Sequence, residues 1–229
     1  SRQVVEKLTS GVGFLLKKNG VEYVEGRGVL AGRNVVEVDS GRTLTTDNVI
    51  VATGARMREL PTLPVDRRVV ITSREALELR QVPGTAVIVG AGATGAEFAY
   101  LWRTYGAEVT LIEILPRLVP LEDEDVSAQL ELAFKAQGIA SMTGSRVDGI
   151  QVDGDMARVT VSNGSGESVI ECDKVLVAVG MRGNVEGIGL EEVGVATERD
   201  YIVIDDDMLT SVPGVYAIGD VPGQLLLAH

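Results

Sequence analysis

Gly90, Gly92 and Gly95 stand at the spacing G-x-G-x-x-G within Gly90-Ala91-Gly92-Ala93-Thr94-Gly95, and Glu113 follows about 20 residues later. These residue types in this order suit one task, holding a dinucleotide. Gly90 permits a tight strand-to-helix turn, Gly92 lets backbone approach a pyrophosphate, and Gly95 lets the helix pack close to the strand. The free N–H groups and positive dipole end of the helix favour phosphate. A carboxylate at Glu113 accepts hydrogen bonds from both hydroxyls of the adenine ribose and repels a 2′-phosphate, which favours NAD over NADP. Arg117 is the counter-argument, because a guanidinium nearby suits a 2′-phosphate.

A lone G-x-G-x-x-G says little, so its flanks decide. Ala86 to Val89 is an apolar run that reads as a buried parallel strand. Ala96, Phe98, Ala99, Leu101 and Trp102 give the following residues a helical period, which Gly106 stops. Val109 to Ile112 is a second strand that ends at Glu113. Glu97 is placed in the first turn of the glycine-loop helix, where the dipole alone favours a carboxylate.

Upstream, Val4, Val5, Leu8, Val12, Leu15 and Leu16 mark a helix over 4–18. Short strands are expected at Val21 to Val24, Gly28 to Leu30, Val35 to Val38 and within Asp47 to Gly54, and Pro61 and Pro64 suggest a linker. Thr72-Ser73-Arg74-Glu75 has the form of a capping box. Downstream, a helix is expected from Asp123 to Gln137, ended by Gly138, with the acidic run Glu122 to Asp125 in its first turn. Strands at Ile139 to Met142, Val147 to Val152, Ala157 to Val161 and Val169 to Gly180 follow, with Asp153-Gly154 as a hairpin signal.

Composition narrows the class. The chain has 229 residues, 45% of them hydrophobic, with 27 Gly and a net charge of −12. Such a charge disfavours nucleic acid and anionic membranes as partners. No signal peptide or membrane-spanning run is evident, and a cytoplasmic location is the expectation. One histidine and one cysteine leave no metal cluster, no Ser/His/Asp triad and no intrachain disulfide. Cys172 reads as a small buried hydrophobe.

An internal repeat sets the domain plan. Asp47 to Gly54, DNVIVATG, matches Asp173 to Gly180, DKVLVAVG, with identity at five of eight positions. Each closes a unit of helix, glycine and short strands, but only the second is preceded by a strand, glycine loop and helix. The first copy therefore reads as half of a second nucleotide-binding unit.

VEYVEGRGVL, DNVIVATGA, VIVGAGATGAEFA, VTLIEILPRL, VLVAVGMRGN and GVYAIGDVPGQLLLAH run through the chain in that order. With them the sequence resembles the pyridine-nucleotide disulfide oxidoreductases, and the LLAH ending is similar to their dihydrolipoamide dehydrogenase branch. The resemblance implies an α/β, Rossmann-like FAD/NAD(P)-binding fold with a parallel sheet and a three-stranded β-meander. It implies a partial FAD domain at 1–62, a complete NAD domain at 63–190 and a return segment at 191–229. NAD contacts are implied at Gly90, Ala91, Gly92, Ala93, Thr94, Gly95, Glu113, Val147 beside the adenine and Gly180 near the nicotinamide. Glu97 matches a glutamate facing the nicotinamide–flavin junction. FAD contacts are implied at Gly28, Ala52, Thr53, Gly54, Asp220, Leu226, Leu227, Ala228 and His229. Thr53 also suits an ordinary strand end, and His229 a frayed terminus.

The departures shape the expected activity. The family's FAD glycine loop, redox cysteine pair, following lysine and His–Glu pair have no match here, and Met181-Arg182-Gly183 replaces the usual Arg-Arg-Pro. The implied parent passes electrons between a dihydrolipoamide-type dithiol, FAD and NAD. This chain is expected to be a catalytically inactive portion that binds NAD, holds FAD weakly or not at all, and forms a homodimer through residues 1–60 and 200–229. Its alternatives are a non-catalytic nucleotide-binding module and a related flavoenzyme of NADH oxidase, ferredoxin reductase or mercuric reductase type.

Overall fold

A computed structural model describes residues 2–224 and 226. The chain forms two compact units, 2–54 with 183–226 and 55–182, each with its own core.

The first segment begins with helix α1 (Arg2–Lys18), none of whose residues is buried. Strands β1 (Gly28–Gly32), β2 (Val35–Val38) and β3 (Arg42–Thr45) form an antiparallel sheet in the order β1-β2-β3. Gly41 makes the β2–β3 turn at φ 84°, a conformation that suits a residue without Cβ. Val21 to Val24 is not a strand. Its apolar alternation satisfies the period of a strand, but a strand also needs a ladder partner. Strand β4 (Val49–Val51) ends the segment.

The second unit starts with β5 (Ala55–Met57) and β6 (Val70–Ile71), then α2 (Ser73–Glu78). The capping box at α2 forms as its sequence requires. The Thr72 hydroxyl oxygen accepts from the Arg74 N–H at 3.3 Å, and Glu75 Oε2 accepts from the Thr72 N–H at 3.0 Å. Next come β7 (Thr85–Val89), α3 (Ala93–Thr104), β8 (Glu108–Ile112), α4 (Glu124–Gln137) and β9 (Ala140–Met142). Asp123 caps α4 by accepting from the Asp125 N–H, and Gly138 closes it in the left-handed conformation. Strands β10 (Arg146–Asp153), β11 (Met156–Asn163) and β12 (Gly166–Cys172) make an antiparallel meander. Strands β13 (Lys174–Val177) and β14 (Met181–Gly183) complete the list of strands that begin in this unit.

Strands β6-β13-β7-β8-β9 form a wholly parallel sheet in that order. Alternate side chains face opposite layers. Ile88, Leu111 and Leu176 pack with Phe98, Trp102 and Phe134 of α3 and α4. Val87, Val89, Val175 and Val177 pack with Val147, Ala157, Val159 and Cys172 of the meander. The sheet is thus covered by helices on one face and by the meander on the other, which is why its strands read as continuous apolar runs.

The chain returns to the first unit with α5 (Leu190–Val193), β15 (Thr197–Glu198), β16 (Tyr201–Ile202) and β17 (Val215–Ala217). Strand β17 pairs in parallel with β4, Val215 opposite Val49 and Ala217 opposite Val51. Val51, Ala217, Leu30, Leu190 and Ile202 form this unit's core.

Candidate functional site

The order of the parallel sheet creates the site. From β7 the chain winds outward through α3, β8, α4 and β9, while β13 lies on the other side of β7. The carboxyl ends of β7 and β13 therefore flank a point where the winding direction reverses, the place where open α/β sheets present loops to ligands. The glycine loop leaves β7 there, Gly180 follows β13, and Glu113 follows β8.

The three glycines meet different surroundings. Gly90 has φ 100°, and a Cβ on it would collide with the Ala178 carbonyl at the end of β13. Gly95 is buried in the first turn of α3, and a Cβ there would collide with the Gly90 carbonyl. Gly92, the N-cap of α3, has none of the described residues beyond its own turn within 4 Å of an added Cβ. Two of the glycines are thus required by the fold, while the third keeps open space at the mouth of a helix. A pyrophosphate needs such a surface, with first-turn N–H groups that have no partner inside the helix.

Glu113 is a buried carboxylate at 7% exposure. Its Oε2 accepts from the Ala91 N–H at 2.8 Å and its Oε1 from the Leu115 N–H at 2.9 Å. Its backbone joins the next elements too: its N–H donates to Met142 at 2.9 Å, and its carbonyl accepts from the Ser145 N–H at 2.9 Å. Val147 begins two residues later, buried between sheet and meander. Gly180 is exposed with φ 105°, and its carbonyl accepts from the Arg58 N–H at 2.9 Å. Arg117 is engaged with Glu124, Nη1 to Oε1 at 2.7 Å.

Glu97 is the fifth residue of α3, in its second turn rather than its first, and it is exposed. The helix begins at Ala93 because Gly92 acts as N-cap, so the end of the dipole does not account for this carboxylate. Ala93 is exposed and Thr94 half-buried beside it.

The first unit holds the other sequence candidates. The Thr53 hydroxyl donates to the Asn184 carbonyl at 2.8 Å, the Asn184 amide donates to the Thr53 carbonyl at 2.8 Å, and the Asn184 N–H donates to Gly54 at 2.9 Å. Ala52 is exposed, and Gly54 adopts φ 72°. Gly28 faces Val36, whose Cγ1 would lie 3.3 Å from an added Cβ, so strand packing is enough to explain this glycine. Asp220 is half-buried after Gly219, which has φ 72°, and Leu226 is exposed. Leu227, Ala228 and His229 lie outside the described residues. Asn184 and Leu115 to Leu118 stand within VLVAVGMRGN and VTLIEILPRL, but sequence reasoning gave their backbone no contact, and Val119 falls outside both.

Chemistry beyond binding has few carriers. Cys172 is 1% exposed, and burial pushes its thiol up to about 11. Among the described residues, no His/Cys/Asp/Glu group could hold a metal ion, and no helix is long and apolar enough to cross a membrane.

Comparison with known proteins agrees with the sheet and its loops. A family model described as pyridine nucleotide-disulphide oxidoreductase matches residues 2–229. The chain is 43% identical to the dihydrolipoyl dehydrogenases of Chlorobaculum tepidum and Mycobacterium bovis, matched over 100% of its own length and 50% of theirs. It therefore spans about half the length of these curated relatives. The crystal structure of LpdA from Mycobacterium tuberculosis superposes with a TM-score of 0.86 at 29% identity, over 98% of this chain and 51% of that one. RclA from Escherichia coli, a flavoprotein disulfide reductase, shares the fold at a TM-score of 0.81 and 22% identity, over 98% of this chain and 53% of that one.

Proposed function

The chain belongs to the pyridine nucleotide-disulphide oxidoreductase family, and from that premise we propose that it is the NAD-binding portion of an FAD-dependent oxidoreductase of dihydrolipoamide dehydrogenase type. One observation carries the reading. Gly92, open to solvent at the N-terminus of α3, sits in the same loop as the Ala91 N–H that reaches the buried Glu113 carboxylate. A loop free of side chains, a helix N-terminus and an acid at the next strand end are the parts a dinucleotide needs.

In this reading the first turn of α3 binds the pyrophosphate, and Glu113 accepts from the adenine ribose through its remaining lone pairs. Val147 lines the adenine side and Gly180 the nicotinamide side. Glu97 stands on the exposed face of α3 toward the nicotinamide end. Where bound, FAD supplies the electron relay between nicotinamide and disulfide. Ala52, Thr53, Gly54 and Asp220 are the residues of this chain with which it would be held, and Gly28 with the segment Leu226 to His229 complete that set.

Calorimetric titration with NAD and NADP tests the proposal. NAD is expected to bind more tightly, since Glu113 repels a 2′-phosphate and Arg117 is already paired with Glu124. Tighter NADP binding would overturn the assignment.

A second reading, a nucleotide-binding module without catalysis, is favoured by Cys172. It is the chain's single cysteine and it is buried, so these 229 residues hold no dithiol to oxidise. The residues also contain a single G-x-G-x-x-G. The purified chain is expected to be colourless; a stoichiometric flavin absorbance band would favour the enzyme reading for the chain by itself.

A further inference from the structure

The carboxylate assigned to the ribose is also spent on the protein's own backbone. Glu113 Oε2 holds the Ala91 N–H at 2.8 Å, while the Ala91 carbonyl accepts from the Val119 N–H at 2.8 Å. Ala91 is 0% exposed, and the N–H of Gly90 before it is bound to Ile112 at 2.8 Å. Every polar group of Ala91 is thus held by the segment that follows β8. That segment is fixed in turn: Glu113 Oε1 accepts from the Leu115 N–H, and the Leu118 N–H donates to Glu131 of α4 at 3.1 Å. Val119 makes its contact from φ 40°, a backbone conformation that a β-branched residue rarely adopts. Such conformations persist where the surroundings over-determine them.

We propose that Glu113 and Val119 clamp Ala91 and so pre-organise the phosphate-binding loop, which makes Glu113 a positioning residue in addition to a ribose acceptor. The clamp stands on these contacts; its effect on ligand rests on the nucleotide reading above. An ionised carboxylate offers about four lone-pair sites, so two N–H bonds leave acceptors for ribose hydroxyls. Glu113→Ala removes both acceptors and leaves the Ala91 and Leu115 N–H groups without them.

Hydrogen exchange of the whole chain without nucleotide, combined with calorimetry, tests the clamp. The ligands are NAD and an analogue lacking both hydroxyls on the adenine ribose. In the wild type the Ala91 amide is expected to be protected like the strand amides of β7. Glu113→Ala is expected to speed Ala91 exchange about tenfold or more while Val87 and Val159 keep their rates, to weaken the analogue by about tenfold, and to weaken NAD further because its ribose contact is lost as well. A purely structural role would lower thermal stability without moving the analogue's affinity. The proposal is overturned by unchanged Ala91 exchange in Glu113→Ala, or by a loss confined to NAD, which would leave a ribose contact only. Unprotected Ala91 exchange in the wild type overturns it without any variant. If the wild type binds neither ligand, the nucleotide reading fails, and the exchange rates still decide the clamp.

Discussion

Gly92 and Gly95 carry the same side chain, three positions apart, under opposite constraints. An added methyl at Gly95 meets the Gly90 carbonyl, so Gly95→Ala must shift the loop or the helix. Overpacking of this kind costs about 1–3 kcal/mol, and the expected result is a lower melting temperature together with lost NAD binding. Among the described residues an added methyl at Gly92 meets no atom beyond its own turn within 4 Å, and its φ of −70° suits alanine. Gly92→Ala is therefore expected to change stability by less than about 0.5 kcal/mol, while NAD affinity falls about tenfold or more. Thermal unfolding and calorimetry on the two variants check the pair; wild-type affinity in Gly92→Ala would remove the loop from the site. Cys172 makes a separate prediction. Its folded thiol is raised from the ordinary 9.0 to about 11. The folded state therefore holds this proton longer than the unfolded chain. The associated stability is fully present below pH 9 and is lost as pH rises through about 11. Unfolding titrations over that range should show a smaller alkaline loss in Cys172→Ala than in the wild type.

Helix α2 is short enough that its ends matter as much as its interior. Its hydroxyl and carboxylate satisfy one another's backbone donors, so Thr72→Ala is expected to cost about 1 kcal/mol, within the range of about 0.5–2 for lost N-caps. Denaturant unfolding checks this, and an unchanged midpoint would show that packing of Ala76 alone holds the helix. The same cap was legible in the sequence, as were the glycine loop, the β8–Glu113 junction and the Gly154 turn between β10 and β11. Each is written in neighbouring residues, where turn geometry and capping act locally. The pairing of β4 with β17 was not, because it joins residues 49–51 to 215–217. Nor was the clamp on Ala91, since a backbone N–H at Val119 leaves no trace in residue type. Val21 to Val24 shows the converse, with a local pattern for a strand and no ladder to join.

At the scale of the molecule, helix α1 shows an apolar face that none of the described residues buries. Val4, Val5, Leu8, Val12 and Leu15 are each at least 54% exposed, with Phe14 beside them. Contiguous apolar surface of this kind favours association, so light scattering coupled to gel filtration is expected to find a dimer. Leu8→Glu with Leu15→Glu is expected to return it to monomer; an unchanged mass in that variant would place the contact elsewhere. The division of the chain has another consequence, for the order of folding. The second unit is one uninterrupted stretch, 55–182, whereas the first joins residues on both sides of it. The entropic cost of closing a loop grows only as about (3/2)RT ln n, but the β4 strand has no β17 to pair with until residue 217 has been made. During synthesis the sheet that carries the glycine loop can thus be complete while Val51, Ala217 and their neighbours still lack a shared core. The sheet of residues 55–182 can form first, and β4 meets β17 last.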